Sequence, residues 1–410
     1  MKRYVIIGNG TAAVGCIEGI RSVDKTGDVT VISGEKHHVY SRPLISYYLE
    51  GKTDLERMKY RPDGFYEENG CRVLSGVRAA AIDPANKTVV LDNGGSVEYD
   101  ALCVATGSRP FVPPFAGLDT VEKKFSFMTL DDALALESAL APDCRVLIVG
   151  AGLIGLKCAE GIFDRVGSVT VCDLADRVLS SILDAECASV VQEHLEAKGI
   201  RFLLGDSADR FEGNAAVMKS GERVEFDVLV LAVGVRANTE LVKEAGGEVN
   251  RGVVVNESEQ TSLDSVWAAG DCAEGFDASI GANRVLAILP NAYMQGRVAG
   301  INMAGGEAAF DNAIPMNSIG FFGLHIMTAG SYGGEMTEER VDGNVRRFFT
   351  DGDLLKGYIL IGDTGRAGIY TSLIREKTPL STVDFEFAKK YASNLIFSQE
   401  IRRKRFGGVV

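Results

Sequence analysis

Short β-branched apolar runs, each followed by glycines and a stretch of small residues, recur along most of the chain. YVIIGNGTAAVGCIEGI near the N-terminus returns as RVLIVGAGLIGLKCAEGI from Arg145. A continuous apolar run bounded by glycine predicts a buried strand, and the small residues after it predict a helix lying close to that strand. DVTVISG and SVTVCD supply the next strand of each copy, and YDALCVATG, ending at Gly107, is echoed by FDVLVLAVG, ending at Gly234. Strand, glycine turn, helix and strand form the opening of a parallel sheet that binds a nucleotide at its carboxyl edge. The pattern predicts an α/β protein with two Rossmann-like dinucleotide-binding domains.

TSLDSVWAAGDCAEG carries a further buried strand that belongs to neither copy. The first domain is therefore expected to be discontinuous, over 1–115 and 236–312, with the second inserted at 116–235. Near Pro315 the pattern changes. FFGLHIMTAG, then RRFFTDGDLLKGYILIG around a hairpin-like Asp351-Gly352, and a short helix near RAGIYTSLIRE predict a small C-terminal α+β domain over 313–410. That domain is a candidate homodimer surface. The tail IRRKRFGGVV is basic, read either as a solvated end or as a weak docking patch.

A chain of 410 residues is too long for one core at about 150 residues per domain. Its 43 basic and 56 acidic residues leave a net charge of −13, which argues against nucleic acid as a partner. No apolar run approaches the roughly 18 residues of a membrane span, and MKRYVIIGNG turns glycine-rich before a signal-peptide core forms, so a cytoplasmic protein off the membrane is expected. The nearest cysteines are 14 residues apart, as in Cys158 and Cys172, and only four histidines occur, so no metal site is expected. The eight cysteines read as buried, reduced thiols.

In the first turn Gly8 allows the tight bend, Gly10 lets the backbone approach a pyrophosphate, and Ala13 lets the helix pack on the strand, with Thr11 and Ala12 opening the helix toward the phosphates. Glu35 is the acidic candidate for a ribose hydroxyl, although Gly34 holds the more usual slot. In the second turn Gly150, Gly152 and Gly155 take the same three roles, and Leu153 and Ile154 open the helix. Asp173 ends the following strand, where a carboxylate accepts from a free 2′-hydroxyl and repels a 2′-phosphate. No basic residue follows until Arg177, so NADH is expected over NADPH.

GNGTAA, ALCVATGSRP, GAGLIGL, VLAVGVRANTELV and VWAAGD together resemble the pyridine-nucleotide-dependent flavoprotein reductases, the superfamily that includes the disulfide reductases. The resemblance covers about residues 1–305. It implies FAD on the first domain and NAD(H) on the second. Carried over, Ala105, Thr106 and Gly107 line the FAD site within the motif that ends at Arg109 and Pro110. Asp271 binds the ribityl chain, Leu289 to Gln295 approach the flavin ring, and Ala79 meets the adenine. Gly270 admits a ligand closely and leaves Asp271 as a strand-end acceptor, or else as a simple helix cap.

VYSRPLISYYLEG decides the branch. Disulfide reductases and water-forming NADH oxidases of this superfamily place a redox cysteine here, whereas the aligned place is Arg42-Pro43-Leu44 and no cysteine lies between Cys16 and Cys71. Thr11 stands where the group's peroxidases use histidine. YSRPLIS resembles the ferredoxin and rubredoxin reductases and the flavin module of NADH-nitrite reductase, which implies that Arg42 and Pro43 lie beside FAD. A helix-starting proline with a surface arginine is the simpler alternative. Tyr47 occupies a place that is lysine in ferredoxin reductases, Lys157 a place usually glutamate, and Met128 a place where an FAD-contacting arginine is common. Lys157 and Tyr47 are thus the candidate catalytic pair, unless Lys157 extends to solvent. The reading is an FAD enzyme passing electrons from NADH to rubredoxin or ferredoxin. Alternatives are a flavin subunit of a nitrite reductase-type complex and an NADH-responsive sensor; thiol and oxidase chemistry is disfavoured.

Overall fold

A computed structural model of the protein describes residues 1–405. Part of the basic tail expectation, residues 406–410 and the side chains of Lys404 and Arg405, lies outside that description. The chain packs as two units, one of residues 1–34, 69–106 and 239–410, the other of 35–68 and 107–238.

In the first unit, five parallel strands run in the order Val266–Ala268, Ala101–Val104, Arg3–Ile7, Asp28–Ser33 and Cys71–Ser75. The apolar runs of the strands at the middle of this sheet, residues 4–7 and Ala101–Val104, are buried on both faces, as parallel strands covered by helices require, whereas the edge strand Cys71–Ser75 is only partly buried. The strand in VWAAGD completes the sheet from the far end of the chain by pairing Val266, Trp267 and Ala268 with Leu102, Cys103 and Val104. Helix Thr11–Val23 follows the first strand and packs along helix Leu289–Met303.

That helix pair owes its closeness to glycines. A Cβ on Gly15 would stand 2.2 Å from the Tyr293 carbonyl oxygen, and one on Gly19 2.3 Å from that of Arg297. From the other helix, Gly296 would meet Ala12 O at 1.9 Å and Gly300 would meet Cys16 O at 2.1 Å. Each glycine pair is spaced four residues apart, so one face of each helix is bare backbone.

Residues 316–361 form an antiparallel sheet in the order Met316–Phe321, Leu324–Gly330, Leu354–Ile361, Asn344–Asp351 and Glu335–Val341. Its central hairpin turns at Gly352, whose φ of 56° suits glycine. Helix Gly368–Arg375 follows, and its Tyr370 and Leu373 join Phe348, Tyr358 and Leu360 in one core.

The second unit repeats the parallel design with strands Arg201–Leu204, Ser168–Asp173, Arg145–Val149, Val228–Leu231 and Lys124–Ser126. Helix Leu153–Ile162 follows the second glycine turn. Helix Leu44–Leu49 packs on it and on helix Leu130–Ala139. Strands Ser108–Pro110 and Val235–Ala237 form a two-stranded ribbon. Among the described residues no helix is long and apolar enough to cross a membrane.

Candidate functional sites

The two glycine turns are built alike. Gly8 N donates to Ile32 O and Gly150 N to Cys172 O, both at 2.8 Å, so each turn hangs on the neighbouring strand. Gly8 has φ 115° and Gly150 φ 118°; a Cβ would lie 2.1 Å from Ala105 O and 2.3 Å from Ala232 O respectively. The next glycine serves a different purpose. Gly10 and Gly152 cap helices Thr11–Val23 and Leu153–Ile162, and a Cβ on either would meet nothing within 4 Å. Neither helix has a side-chain cap or an acidic residue in its first turn. The unsatisfied N–H groups and positive dipole end therefore face open space, which suits a pyrophosphate.

The glycines thus predict separable effects. Gly152→Ala should lower thermal stability only slightly, by the preference of a helix N-cap for glycine over alanine, and, if NADH binds at this turn, weaken its binding by about tenfold or more. Gly155→Ala should instead disturb the fold, since its Cβ would meet Gly150 O at 1.9 Å. Thermal melts with NADH titrations separate the two, and equal loss of stability in both variants would refute the distinction.

Other candidates in the first unit converge on the same edge. Thr11, Ala12 and Ala105 are buried and Thr106 is half-buried beside them. Gly270, at φ 82°, sits so close to the first turns of both helices that its Cβ would be 3.1 Å from Ala12 Cβ and 3.6 Å from Ala292 Cβ. Asp271 follows, half-buried. Helix Leu289–Met303 begins at half-buried Leu289 with no side-chain cap. Gln295 is buried, its Oε1 accepting from Gly270 N at 3.1 Å. Ala79 is half-buried at the start of strand Ala79–Asp83.

Glu35, Arg42, Pro43 and Tyr47 pack within the second unit. Glu35 Oε1 pairs with Arg42 and Oε2 accepts from the Tyr40 hydroxyl at 2.7 Å. Arg42 also donates to Met128 O at 3.3 Å, so an arginine does reach the Met128 position, from a different segment. Tyr40, absent from the sequence expectations, accepts from Leu130 N at 2.9 Å, and burial raises its hydroxyl pKa. Pro43 is exposed with φ −59° and caps helix Leu44–Leu49.

Asp173 Oδ2 accepts from Ala151 N at 2.7 Å and Oδ1 from Ala175 N at 2.8 Å. The carboxylate is fixed to the glycine turn itself. Leu153 and Ile154 are half-buried at the helix start. Gly107 (φ 65°) and Gly234 (φ 122°) flank the ribbon, and Arg109 donates to Asn238 Oδ1 at 2.7 Å across it.

Lys157 does not extend to solvent. Its ammonium pairs with Glu160, whose side chain is 5% exposed, and stands 4.5 Å from the centroid of the Tyr47 ring. A Cβ on Gly161 would lie 2.8 Å from Ser46 O, so the glycine lets the Tyr47 helix close on the Lys157 helix. Sequence inspection missed Glu160, although the i,i+3 spacing in LKCAEG carried the signal.

All eight cysteines are free, and every one but Cys71 is buried. Burial pushes the Cys71 thiol up to about 11 and Cys172 to about 12, and raises Cys158 further. Cys103 is raised first by a thiol hydrogen-bond interaction with Cys16 and then by burial. These thiols stay protonated near neutral pH, the opposite of a reactive thiolate.

Residues 2–296 match the family model described as pyridine nucleotide-disulphide oxidoreductase. The chain is 32% identical to the NADH-dependent phenylglyoxylate dehydrogenase subunit epsilon of Aromatoleum evansii, covering 97% of each chain. It is 30% identical to the nitrite reductase [NAD(P)H] of Bacillus subtilis (strain 168), covering 93% of this chain but 48% of that protein's length. Among solved structures, the covalent putidaredoxin reductase-putidaredoxin complex contains a chain that superposes with a TM-score of 0.88 at 24% identity, covering 96% of this chain and 97% of that one.

Proposed function

Because the chain belongs to the pyridine nucleotide-disulphide oxidoreductase family, whose cofactors are FAD and NAD(H), we propose that it oxidises NADH and passes the electrons to a small electron-carrier protein such as rubredoxin or ferredoxin. FAD, when bound, supplies the step from a hydride pair to single electrons. The residues bind and orient. The first glycine turn, Asp271 and the start of helix Leu289–Met303 hold FAD, and the second turn with Asp173 holds NADH. Lys157, beside the Tyr47 ring, would stabilise negative charge that FAD carries when reduced. The cytoplasm, where free thiols persist, is the proposed compartment. Domain limits at 115, 236 and 312, and a homodimer through 313–410, belong to the same proposal.

One observation carries this reading: two equivalent glycine-capped helices open onto empty space, while Arg42-Pro43-Leu44 holds no sulfur. The likeness to subunit epsilon supports a second form, in which the acceptor is a partner subunit of a larger oxidoreductase.

Anaerobic mixing with NADH tests both. The expected result is rapid flavin bleaching followed by turnover with a viologen dye and with rubredoxin or ferredoxin. Nitrite and oxygen should be poor acceptors for the isolated chain. Turnover with the dye alone would favour the partner-subunit form. A long-lived charge-transfer complex without turnover would sink the enzyme reading in favour of a sensor.

A further inference from the structure

Glu259 takes no part in the sites above, yet its side chain is buried, the residue being 2% exposed in the loop ahead of strand Val266–Ala268. Its φ of 61° is in the left-handed region, unusual for a glutamate, so the surrounding fold holds this backbone against its local preference. Glu259 Oε2 accepts from Gln295 Nε2 at 3.2 Å, and Gln295 Oε1 accepts from Gly270 N at 3.1 Å. A glutamine amide has one donor end and one acceptor end. With Glu259 accepting at the donor end, the acceptor end must face Gly270.

We propose that Glu259, acting through Gln295, is a positioning residue for the Gly270–Asp271 turn on which FAD binding rests. This deepens the proposed function and depends on its placement of FAD at Asp271. Among the described residues no ion pair compensates Glu259. The titratable groups facing it are Cys103 on strand Ala101–Val104 and, beside the Cys103 thiol, the free Cys16 on helix Thr11–Val23. Neither supplies a positive charge. Burial holds the Glu259 carboxyl well above the usual range, against a smaller opposing effect of the Gln295 bond.

The folded protein therefore keeps a proton that the unfolded chain gives up above a pH of about 4.3. Stability falls as pH rises from that value toward the raised folded pKa. Ionisation also places a charge in an apolar pocket, and the strain falls on the loop and the turn it braces.

FAD release from the holoenzyme, followed by flavin fluorescence from about pH 6 to about pH 9, tests this together with thermal melts. Wild type should release FAD faster as pH rises. Glu259→Gln keeps an acceptor without a titrating group, so its release should stay slow and flat, and its melting advantage over wild type should widen with pH. Glu259→Leu leaves the Gln295 amide without its partner and should release FAD about tenfold faster. Release from Glu259→Leu at the wild-type rate, or parallel pH profiles for wild type and Glu259→Gln, would overturn the proposal. Asp271→Ala tests the FAD placement separately: wild-type retention there refutes that placement, while the melting gap still decides the role of Glu259.

Discussion

Gly296→Ala is expected to lower stability by about 3 kcal/mol or more and to yield protein poor in FAD. The added methyl would lie 1.9 Å from Ala12 O, which is backbone, so no side-chain rotation relieves it. The helices must separate, and Ala12 sits in the first turn of the helix proposed to face the FAD pyrophosphate. The same displacement frees Gly270, whose seat lies between Ala12 and Ala292. Val298, half-buried on the same helix, gives the control, since Val298→Ala removes methyl groups without a backbone clash. Denaturant unfolding and the flavin-to-protein absorbance ratio measure both effects. A Gly296→Ala protein with the wild-type melt and full flavin content would refute a glycine-built helix contact.

The second large effect is expected at Lys157. Removing one member of a buried ion pair leaves the other uncompensated, at a cost of about 3–5 kcal/mol. Lys157→Met takes from Glu160, whose side chain is 5% exposed, its ion-pair partner on the same helix, and also removes the cation from the Tyr47 ring. Lys157→Met/Glu160→Met discards both charges and should regain most of the lost stability, because an apolar pair of similar volume incurs no desolvation penalty. Equal destabilisation in the single and double variants would show that packing, not charge, matters there. The functional part is read separately. If Lys157 stabilises the reduced ring, both variants should slow reduction by NADH and lower the flavin potential. An unchanged rate together with an unchanged potential would leave the pair purely structural.

Local chemistry makes much of this protein legible in its sequence. The glycine turns at Gly8 and Gly150 follow from apolar runs that must be buried strands and from glycines that alone tolerate φ near 115°. Asp173 ends the strand in SVTVCD, and Asp271 lies in the turn just past the apolar strand Val266–Ala268, positions that the strand patterns mark. Even the contribution of VWAAGD to the first sheet was visible, since an extra buried strand with no place in either repeat must return to one of them.

What lay beyond such reading were contacts between segments distant in sequence. Glu35 and Arg42 were expected to reach separate parts of a cofactor, and packing joins them to each other and to Tyr40. Gly15, Gly19, Gly296 and Gly300 show four-residue spacing in the sequence, yet only the juxtaposition of two helices nearly three hundred residues apart shows what the bare faces touch. Glu259 looks like any surface acid in NESEQT, yet in the fold it is buried, in a left-handed backbone conformation. Periodicity and glycine placement act through a residue's own backbone and nearest neighbours, so the amino-acid order alone determined the strands, the turns and the glycine-capped helix ends. Partner choice for Glu35, Lys157 and Glu259 depends on which distant surfaces close over them, and that was decided by the tertiary fold.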